Sequence, residues 1–518
     1  MIFSELSGYL FGKNGRFLYL LVASIILLST ALGGHDLWTQ EHRWADIVSG
    51  MFYRHDFLHP YLDNNDYYDK PLLSYWLIAV FAKLSGGLTA AILRLPSMLA
   101  GLLAIWSIYF LGIELKDKSF GLLAGWLLLT TFYFVFWARV SSADMLNLAG
   151  SLFAIAWYFK KRHAATFFDY VVFFIAIALT ALCKGLIGVV IPVFALIVDM
   201  LLTHSLKRHL RFSMFFAALI GGMIYLVPFV ASSYFSNHAY HENGLYLVYR
   251  ENILRYFQPF DHQGPIYTYL LYLPIYLLPW TIFLVPAIFS VATRFKSLTI
   301  SSQWIAWTLL ALFVFLTLSG SRRSYYVLPL VPFAILLIAD WIVCLSSGML
   351  LQGQRGKTLG MMVVLFWIVL WMTLDIVPAW YDSQSGAPQF AALLKKESSA
   401  IRPWSAWHIV MLDAESKLNF YLSLPPTTPY YAINGSVRRT QTSSSLRAAW
   451  PILSHLPANT IFVTRKQYLP LLLPYFHNYQ LVMLQKQGPF QSKRQALDAP
   501  CALVPRFASI NIDPLVPH

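Results

Sequence analysis

Apolar residues run along most of this chain in blocks of about 20, the length at which a helix crosses a hydrocarbon core about 30 Å thick. The blocks fall near 17–34, 90–113, 119–138, 144–160, 167–183, 185–203, 212–232, 266–291, 303–319, 326–346 and 358–378. Short basic segments separate them: Lys13 with Arg16, ELKDK (114–118), KKRH (160–163), HSLKRHLR (204–211), TRFK (293–296) and GQRGK (353–357). Lys and Arg collect in cytoplasmic loops, so these segments define one face and put the N-terminus there. The segment PLLSYWLIAVFAKLSGG (71–87) is apolar but short, and Lys83 and Gly86/Gly87 interrupt it. If it crossed, every later basic loop would change sides; it is therefore predicted to lie in the interface or to re-enter. Residues 36–89 then form one large external loop and 233–265 a second.

After residue 378 the pattern changes. WHIVMLD (407–413), TIFVTR (460–465) and YQLVMLQ (479–485) read as strands between Ser/Pro/Thr loops and short helices. They predict a small soluble α/β domain over 379–518 on the external side. The expected architecture is an α-helical polytopic membrane protein over 1–378, with about 11–13 transmembrane helices, carrying that domain.

Composition agrees. Hydrophobic residues make up 58% and charged residues 12% of 518, against about 25% charged in soluble proteins. The net charge of +14 resides largely in the basic loops, which removes the case for nucleic acid as a partner. Three cysteines, Cys183, Cys344 and Cys501, are scattered and form neither a disulfide framework nor a metal motif. Residues 17–32 read as an uncleaved first span.

The polar residues gather on the external face. GGHDLWTQEHRWADI (33–47) crowds Asp36, Gln40, Glu41 and Arg43 just outside the first span. Beyond it come YYDKP with Asp69 and Lys70, ARVSSAD with Arg139 and Asp144, and LCKG with Lys184. Arg255 and His262 lie in the second loop, and SGSRRSYY carries Arg322, Arg323, Tyr325 and Tyr326. Bases beside acids in one outer-leaflet cavity suit a phosphate-bearing ligand, gripped by Arg and Lys, with a carboxylate as base or metal ligand. Blander readings exist: Arg139 and Asp144 as helix-end caps, Lys184 snorkelling to headgroups, Arg322 and Arg323 on anionic lipid. No GxxxxGK[ST], GxGxxG after a strand, GxSxG or HExxH is present. A transporter of lipid-linked sugars is a competing class, but its polar site would sit at the midplane.

LWTQEHRWADI, DNNDYYDKPLLSYWLIAVF, ARVSSADMLNLAGSLFAIAWYF, ALCKGLIGVVIPV, RENILRYFQPFDHQGPIYTYLLYLPIYLLPW and SGSRRSYYVLPLVPFAILLIADW occur in that order. They resemble the lipid-linked-sugar glycosyltransferases of the GT-C fold, and among them the bacterial aminoarabinose lipid A transferases, relatives of the protein O-mannosyltransferases. The resemblance covers roughly 17–378. It implies transfer, with inversion, of a sugar such as 4-amino-4-deoxy-L-arabinose from undecaprenyl phosphate to lipid A, at the periplasmic face of a bacterial inner membrane. Another glycan, protein or envelope polymer is the alternative acceptor, and an inactive binding relative a further reading. The resemblance aligns Gln40 and Glu41 with the family's catalytic Asp-Glu pair, and because Gln cannot accept a proton the candidate bases are Glu41 and Asp36. For a polyprenyl-phosphate donor, the candidate substrate-binding residues are Arg43, Asp69, Lys70, Asp144, Lys184, Arg255, Arg322, Arg323, Tyr325 and Tyr326. Any divalent metal would fall to Asp69 and His262. Two positions depart from the family: Gln40 stands where it has Asp, and Asn252 where it has His.

Overall fold

A computed structural model describes residues 7–12, 15–38, 40–62, 65–67, 70–235, 244–258, 263–345, 353–377, 386–431, 433, 456–484 and 497–506. Asp69 and His262 lie outside the described residues. Contacts divide the chain into two compact units: Met1–Leu32 with Tyr68–Asp375, and Gly33–Tyr67 with Ile376–His518.

The first unit is helical. Six of its described helices are long and apolar enough to cross a membrane: Ala90–Leu115, Phe167–Lys184, Phe212–Tyr234, Ile300–Leu318, Ser324–Cys344 and Arg355–Ile376. Phe17–Ser29, Leu73–Ser85 and Ile187–Leu202 are apolar but shorter. Ala143–Lys161 completes the set, with Asp144 and Asn147 buried on it. These elements make the chain a multi-pass membrane protein.

Two blocks read from sequence as straight spans are broken. Lys118–Leu129 and Phe132–Ala138 meet at 72°, and Thr268–Tyr276 and Trp280–Ser297 at 114°. At the first break the hydroxyls of Thr130 and Thr131 donate to the carbonyls of Trp126 (2.7 Å) and Leu127 (2.8 Å). At the second, Pro274 and Pro279 remove backbone donors. The breaks then serve one another. Phe132 N–H donates to the Leu278 carbonyl at 2.9 Å, and the Trp280 indole to the Thr130 hydroxyl at 3.2 Å. Broken helices survive in a membrane only where protein satisfies the freed backbone groups, and here each break supplies the other.

Close helix approach and buried charge pairs hold the unit together. A Cβ on Gly112 would stand 2.5 Å from the Gly121 Cα, so glycine lets the Ala90–Leu115 and Lys118–Leu129 helices touch backbone to backbone. Arg139, 2% exposed, pairs with Asp375 and donates to the Leu27 carbonyl at 2.8 Å. It joins the helix Phe17–Ser29 to the span Arg355–Ile376. Arg94, fully buried, similarly donates to the Leu32 carbonyl at 2.8 Å.

The second unit contains a five-stranded mixed sheet in the order Tyr430–Tyr431, His408–Leu412, Thr460–Arg465, Pro500–Pro505, Tyr479–Met483. The first three strands are parallel, and the last two pair antiparallel. Val410 sits opposite Phe462, and Phe462 opposite Leu503. Thr460–Arg465 is buried along nearly its whole length because helices cover both faces, which explains a continuous apolar run where alternation would mark a half-wet strand. Phe390, Leu394, Leu418 and Leu422 pack on one face, and Leu469, Leu472 and Phe476 on the other. All three strands expected from sequence are present; Pro500–Pro505 and the two-residue Tyr430–Tyr431 are additional. The sequence reading treats 36–89 as a single loop, whereas the contacts divide it. Residues 33–67 group with the C-terminal residues, and the Leu73–Ser85 helix packs on Ala90–Leu115 and Phe167–Lys184.

Candidate functional site

The helix Phe167–Lys184 ends at Gly185, whose φ of 108° and ψ of −173° only glycine adopts readily. This abrupt stop leaves Lys184 as the last helical side chain. Its ammonium pairs with the Asp144 carboxylate. Asp144 lies in the first turn of Ala143–Lys161, where Ser142 caps the helix by accepting the Asp144 N–H at 3.2 Å. A carboxylate there also complements the helix dipole. Lys184 further stands 5.0 Å from the ring centroid of Tyr326, a cation–π distance.

A neighbouring segment locks this turn. Asn252, on the π-helical turn Arg250–Leu254, accepts the Leu186 N–H at 2.6 Å and donates to the Val248 carbonyl at 2.8 Å. Its carboxamide oxygen lies 2.5 Å from where a Cβ on Gly185 would be. From the other side, the Ser74 hydroxyl donates to the Cys183 carbonyl at 2.6 Å. Three segments far apart in sequence therefore converge on residues 183–186. Next to Asn252, Glu251 holds Arg255 at 2.5 Å and Arg250 at 3.1 Å.

Around this junction opens a cavity of about 350 Å³. Lys70, Lys184, Glu251, Arg255 and Tyr326 line its polar part, and Val190, Phe229, Phe257 and Phe315 its apolar part. A cavity lined by both cationic side chains and aromatic and aliphatic ones matches an amphiphile with an anionic head. Among the residues expected on substrate, Lys70, Lys184, Arg255 and Tyr326 thus line one cavity, with Asp144 paired to Lys184.

The tandem arginines are engaged elsewhere. Arg322 donates to the carbonyls of Thr317 (3.0 Å) and Gly264 (2.8 Å), closing the end of a span. Arg323 donates to the Tyr325 hydroxyl at 2.6 Å, and the Tyr325 ring packs 5.3 Å from Trp137. Their location next to Tyr326 made them plausible from sequence; their bonding is to the protein itself.

The first-loop acids belong to the second unit. Asp36 takes the Leu37 N–H at 2.8 Å and the Lys417 ammonium at 2.5 Å, and the Tyr421 hydroxyl accepts the same Leu37 N–H at 2.9 Å. Glu41 is fully buried, and its carboxylate accepts the Trp38 N–H at 2.8 Å, just ahead of the helix Glu41–Arg54. Gln40 is half-buried at the N-cap and makes no side-chain cap, and Arg43 is half-buried in the first turn. Lys417 and Tyr421 could not be found from sequence, since 381 residues separate Lys417 from Asp36.

Burial alone would lower the Lys417 ammonium, but the carboxylates of Asp36 and Glu415 outweigh it and hold its pKa above the usual lysine value. A raised folded-state pKa contributes stability that is complete below the ordinary lysine pKa and is lost only as pH rises through the raised one. Lys417→Met should therefore lower thermal stability by the same amount at about pH 6 and about pH 9. Thermal-shift curves whose difference changes between those pH values would contradict this.

Asn252 bears on a metal. Its amide oxygen and nitrogen both serve backbone groups, so it offers no ligand where the family has His. Among the described residues no three His, Cys, Asp or Glu side chains gather to hold an ion. Asp69 and His262, the residues expected to take a metal, lie outside the described residues, and the described ones assemble no such site.

Comparison with known proteins bears on the fold and the class of relatives. The family model for dolichyl-phosphate-mannose-protein mannosyltransferases matches residues 69–232. The undecaprenyl phosphate-alpha-4-amino-4-deoxy-L-arabinose arabinosyl transferase of Pectobacterium atrosepticum is 23% identical over 454 residues, 85% of this chain and 78% of that one. The protein of the same name from Pseudomonas savastanoi pv. phaseolicola is 28% identical over 347 residues, 66% of this chain and 62% of that one. The structure of ArnT from Cupriavidus metallidurans bound to undecaprenyl phosphate superposes with a TM-score of 0.71 at 16% identity, covering 96% of this chain and 99% of that one. The apo oligosaccharyltransferase of Archaeoglobus fulgidus gives a TM-score of 0.51 at 14% identity, over 90% of this chain and 72% of that one.

The chain has the GT-C fold, and the relatives and structural neighbours it matches are glycosyltransferases. Within that class it resembles the bacterial aminoarabinose transferases.

Proposed function

We propose that this protein transfers a sugar, with inversion, from undecaprenyl phosphate to a phosphate of lipid A at the periplasmic face of a bacterial inner membrane. The observation that carries the reading is the cavity that Lys70, Lys184 and Arg255 line together with aromatic and aliphatic side chains. The relatives named as undecaprenyl-phosphate aminoarabinose transferases support the donor and make 4-amino-4-deoxy-L-arabinose the first sugar to test.

In this reading an oxygen of the acceptor phosphate attacks the anomeric carbon opposite the leaving group. The bond from that carbon to the donor phosphate breaks, and its electron pair leaves on undecaprenyl phosphate. Lys70, Lys184 and Arg255 stabilise the charge that develops there, while the polyprenyl chain runs along Val190, Phe229 and Phe315. Asp144 and Glu251 hold two of these cations in place. A phosphate monoester, with a second pKa of about 6, is already anionic near neutrality and needs no base. That suits a first loop whose acids are committed, Asp36 to Lys417 and Glu41 to the Trp38 N–H.

Purified protein given radiolabelled undecaprenyl-phosphate aminoarabinose and lipid A should yield labelled lipid A. Lys70→Ala should reduce that rate about a hundredfold, the scale of losing one charge-stabilising donor; an unchanged rate would remove the core of the proposal. Glu41→Gln keeps an acceptor for Trp38 N–H while deleting a base. It should leave transfer within about threefold of wild type, whereas a loss of about 10²–10⁴ would mark general base catalysis. That loss would favour the second reading, a hydroxyl acceptor on protein or glycan, which the mannosyltransferase family match supports.

A further inference from the structure

A second cavity, of about 250 Å³, lies in the helical unit away from the first. Leu337, Asp340, Trp341 and Cys344 line it from one end of the span Ser324–Cys344, while Tyr326 and Pro329 line the first cavity from the other end. The span Ile300–Leu318 repeats the arrangement, with Leu298 at the second cavity and Leu316 and Ser319 at the first. At about 1.5 Å per residue, the separation along either span is roughly 20–30 Å, which sets the two cavities at opposite membrane faces.

Its charges do not cancel. Asp340, 3% exposed, is paired with Lys116 and also accepts the Ser302 hydroxyl at 3.0 Å, so its charge is met within the protein. Arg294 lines the cavity from the last turn of Leu284–Arg294 and is exposed. Among the described residues its guanidinium has no ion-pair partner. Ser290, one turn before it, also lines the cavity, and Lys296 follows two residues later. Val291, Leu337 and Trp341 line the same cavity and supply apolar surface. A guanidinium with a nearby hydroxyl, at headgroup level and with apolar surface in the same cavity, is the chemistry of a phosphate attached to an acyl chain.

We propose that this cavity binds the net-anionic phosphate headgroup of a membrane lipid in the leaflet opposite the substrate cavity, with Arg294 holding the phosphate. The site is separate from the transfer reaction. Nothing in it depends on which sugar or acceptor the first cavity takes.

The protein carries its own reporter. Cys344 lines the cavity and is exposed, whereas Cys183 and Cys501 are buried. Alkylation of the full chain by N-ethylmaleimide, followed residue by residue by mass spectrometry, therefore reads occupancy at Cys344 and global unfolding at the other two. The protein is placed in nanodiscs of phosphatidylcholine alone, in nanodiscs containing phosphatidylglycerol, and in phosphatidylcholine with added inorganic phosphate. Phosphatidylglycerol should slow Cys344 alkylation about fivefold, the effect of one basic residue at an anionic surface. Arg294→Gln should abolish that protection while Cys183 and Cys501 stay unreactive. Equal rates in all three conditions, or protection that survives Arg294→Gln, would overturn the site. Inorganic phosphate protecting as strongly as phosphatidylglycerol would identify a free anion and overturn the lipid assignment.

Discussion

Lys184→Ala is expected to reduce sugar transfer by at least about a hundredfold and to destabilise the protein at the same time. The two losses have different origins. Lys184 lines the large cavity, so its removal takes away positive charge where the donor phosphate would lie. Its removal also strands Asp144, whose side chain is only 10% exposed, without the ammonium that balances it. Breaking one side of a buried pair costs about 3–5 kcal/mol, largely through the charge left behind. Lys184→Met combined with Asp144→Asn separates the contributions. Thermal stability should recover most of its loss in the double variant, and the transfer rate should remain low. Recovery of both would reduce Lys184 to a structural residue; recovery of neither would mean that Asp144 has a role of its own.

Gly185→Ala is the second large effect, expected to lower kcat/KM by about tenfold to a hundredfold through misplacement of Lys184. Alanine meets two obstacles. It must adopt a φ of 108°, and its Cβ must displace the Asn252 oxygen 2.5 Å away. Yielding at Asn252 releases its bond to Leu186 N–H and with it the Glu251–Arg255 segment one residue away. Asn252→Ala alone removes the same latch without imposing backbone strain, so it should raise KM for the donor more than it lowers kcat. Adding Asn252→Ala to Gly185→Ala should relieve the clash but not restore the latch. A double variant as active as wild type would show that the turn does not need locking.

Much of the architecture was legible because it follows from local pattern. A run of about 20 apolar residues marks a membrane segment from its own length and composition, and short Lys- and Arg-bearing stretches mark where such segments end. The interruptions were harder to read. Thr130, Thr131, Pro274 and Pro279 are visible in the sequence, but such residues sit inside many straight helices. Here they mark breaks because the two broken segments supply one another's hydrogen bonds.

The candidate site divides along the same line. That Lys70, Lys184, Arg255 and Tyr326 form a set of polar residues at span ends could be read from their positions and from the family resemblance. Their company did not. Lys184 pairs with a carboxylate 40 residues away, Asn252 bonds a backbone group 66 residues away, and Asp36 meets a lysine 381 residues away. Asp36 and Glu41 looked like free acids in a crowded polar stretch, yet one forms an ion pair and the other caps the turn before its helix. Arg322 and Arg323 looked like anion ligands, yet they bond to carbonyls and a tyrosine.

By itself, then, the sequence determined a multi-pass helical membrane protein with charge confined to the span ends and an α/β segment after the last span, since hydrophobic burial depends on pattern and length. The tertiary structure decided which charges face the cavity and which are spent on the protein's own backbone. A hydrogen bond or ion pair needs its partner within about 3 Å, and that distance is set by how separate helices and strands pack, which no local stretch of chain encodes.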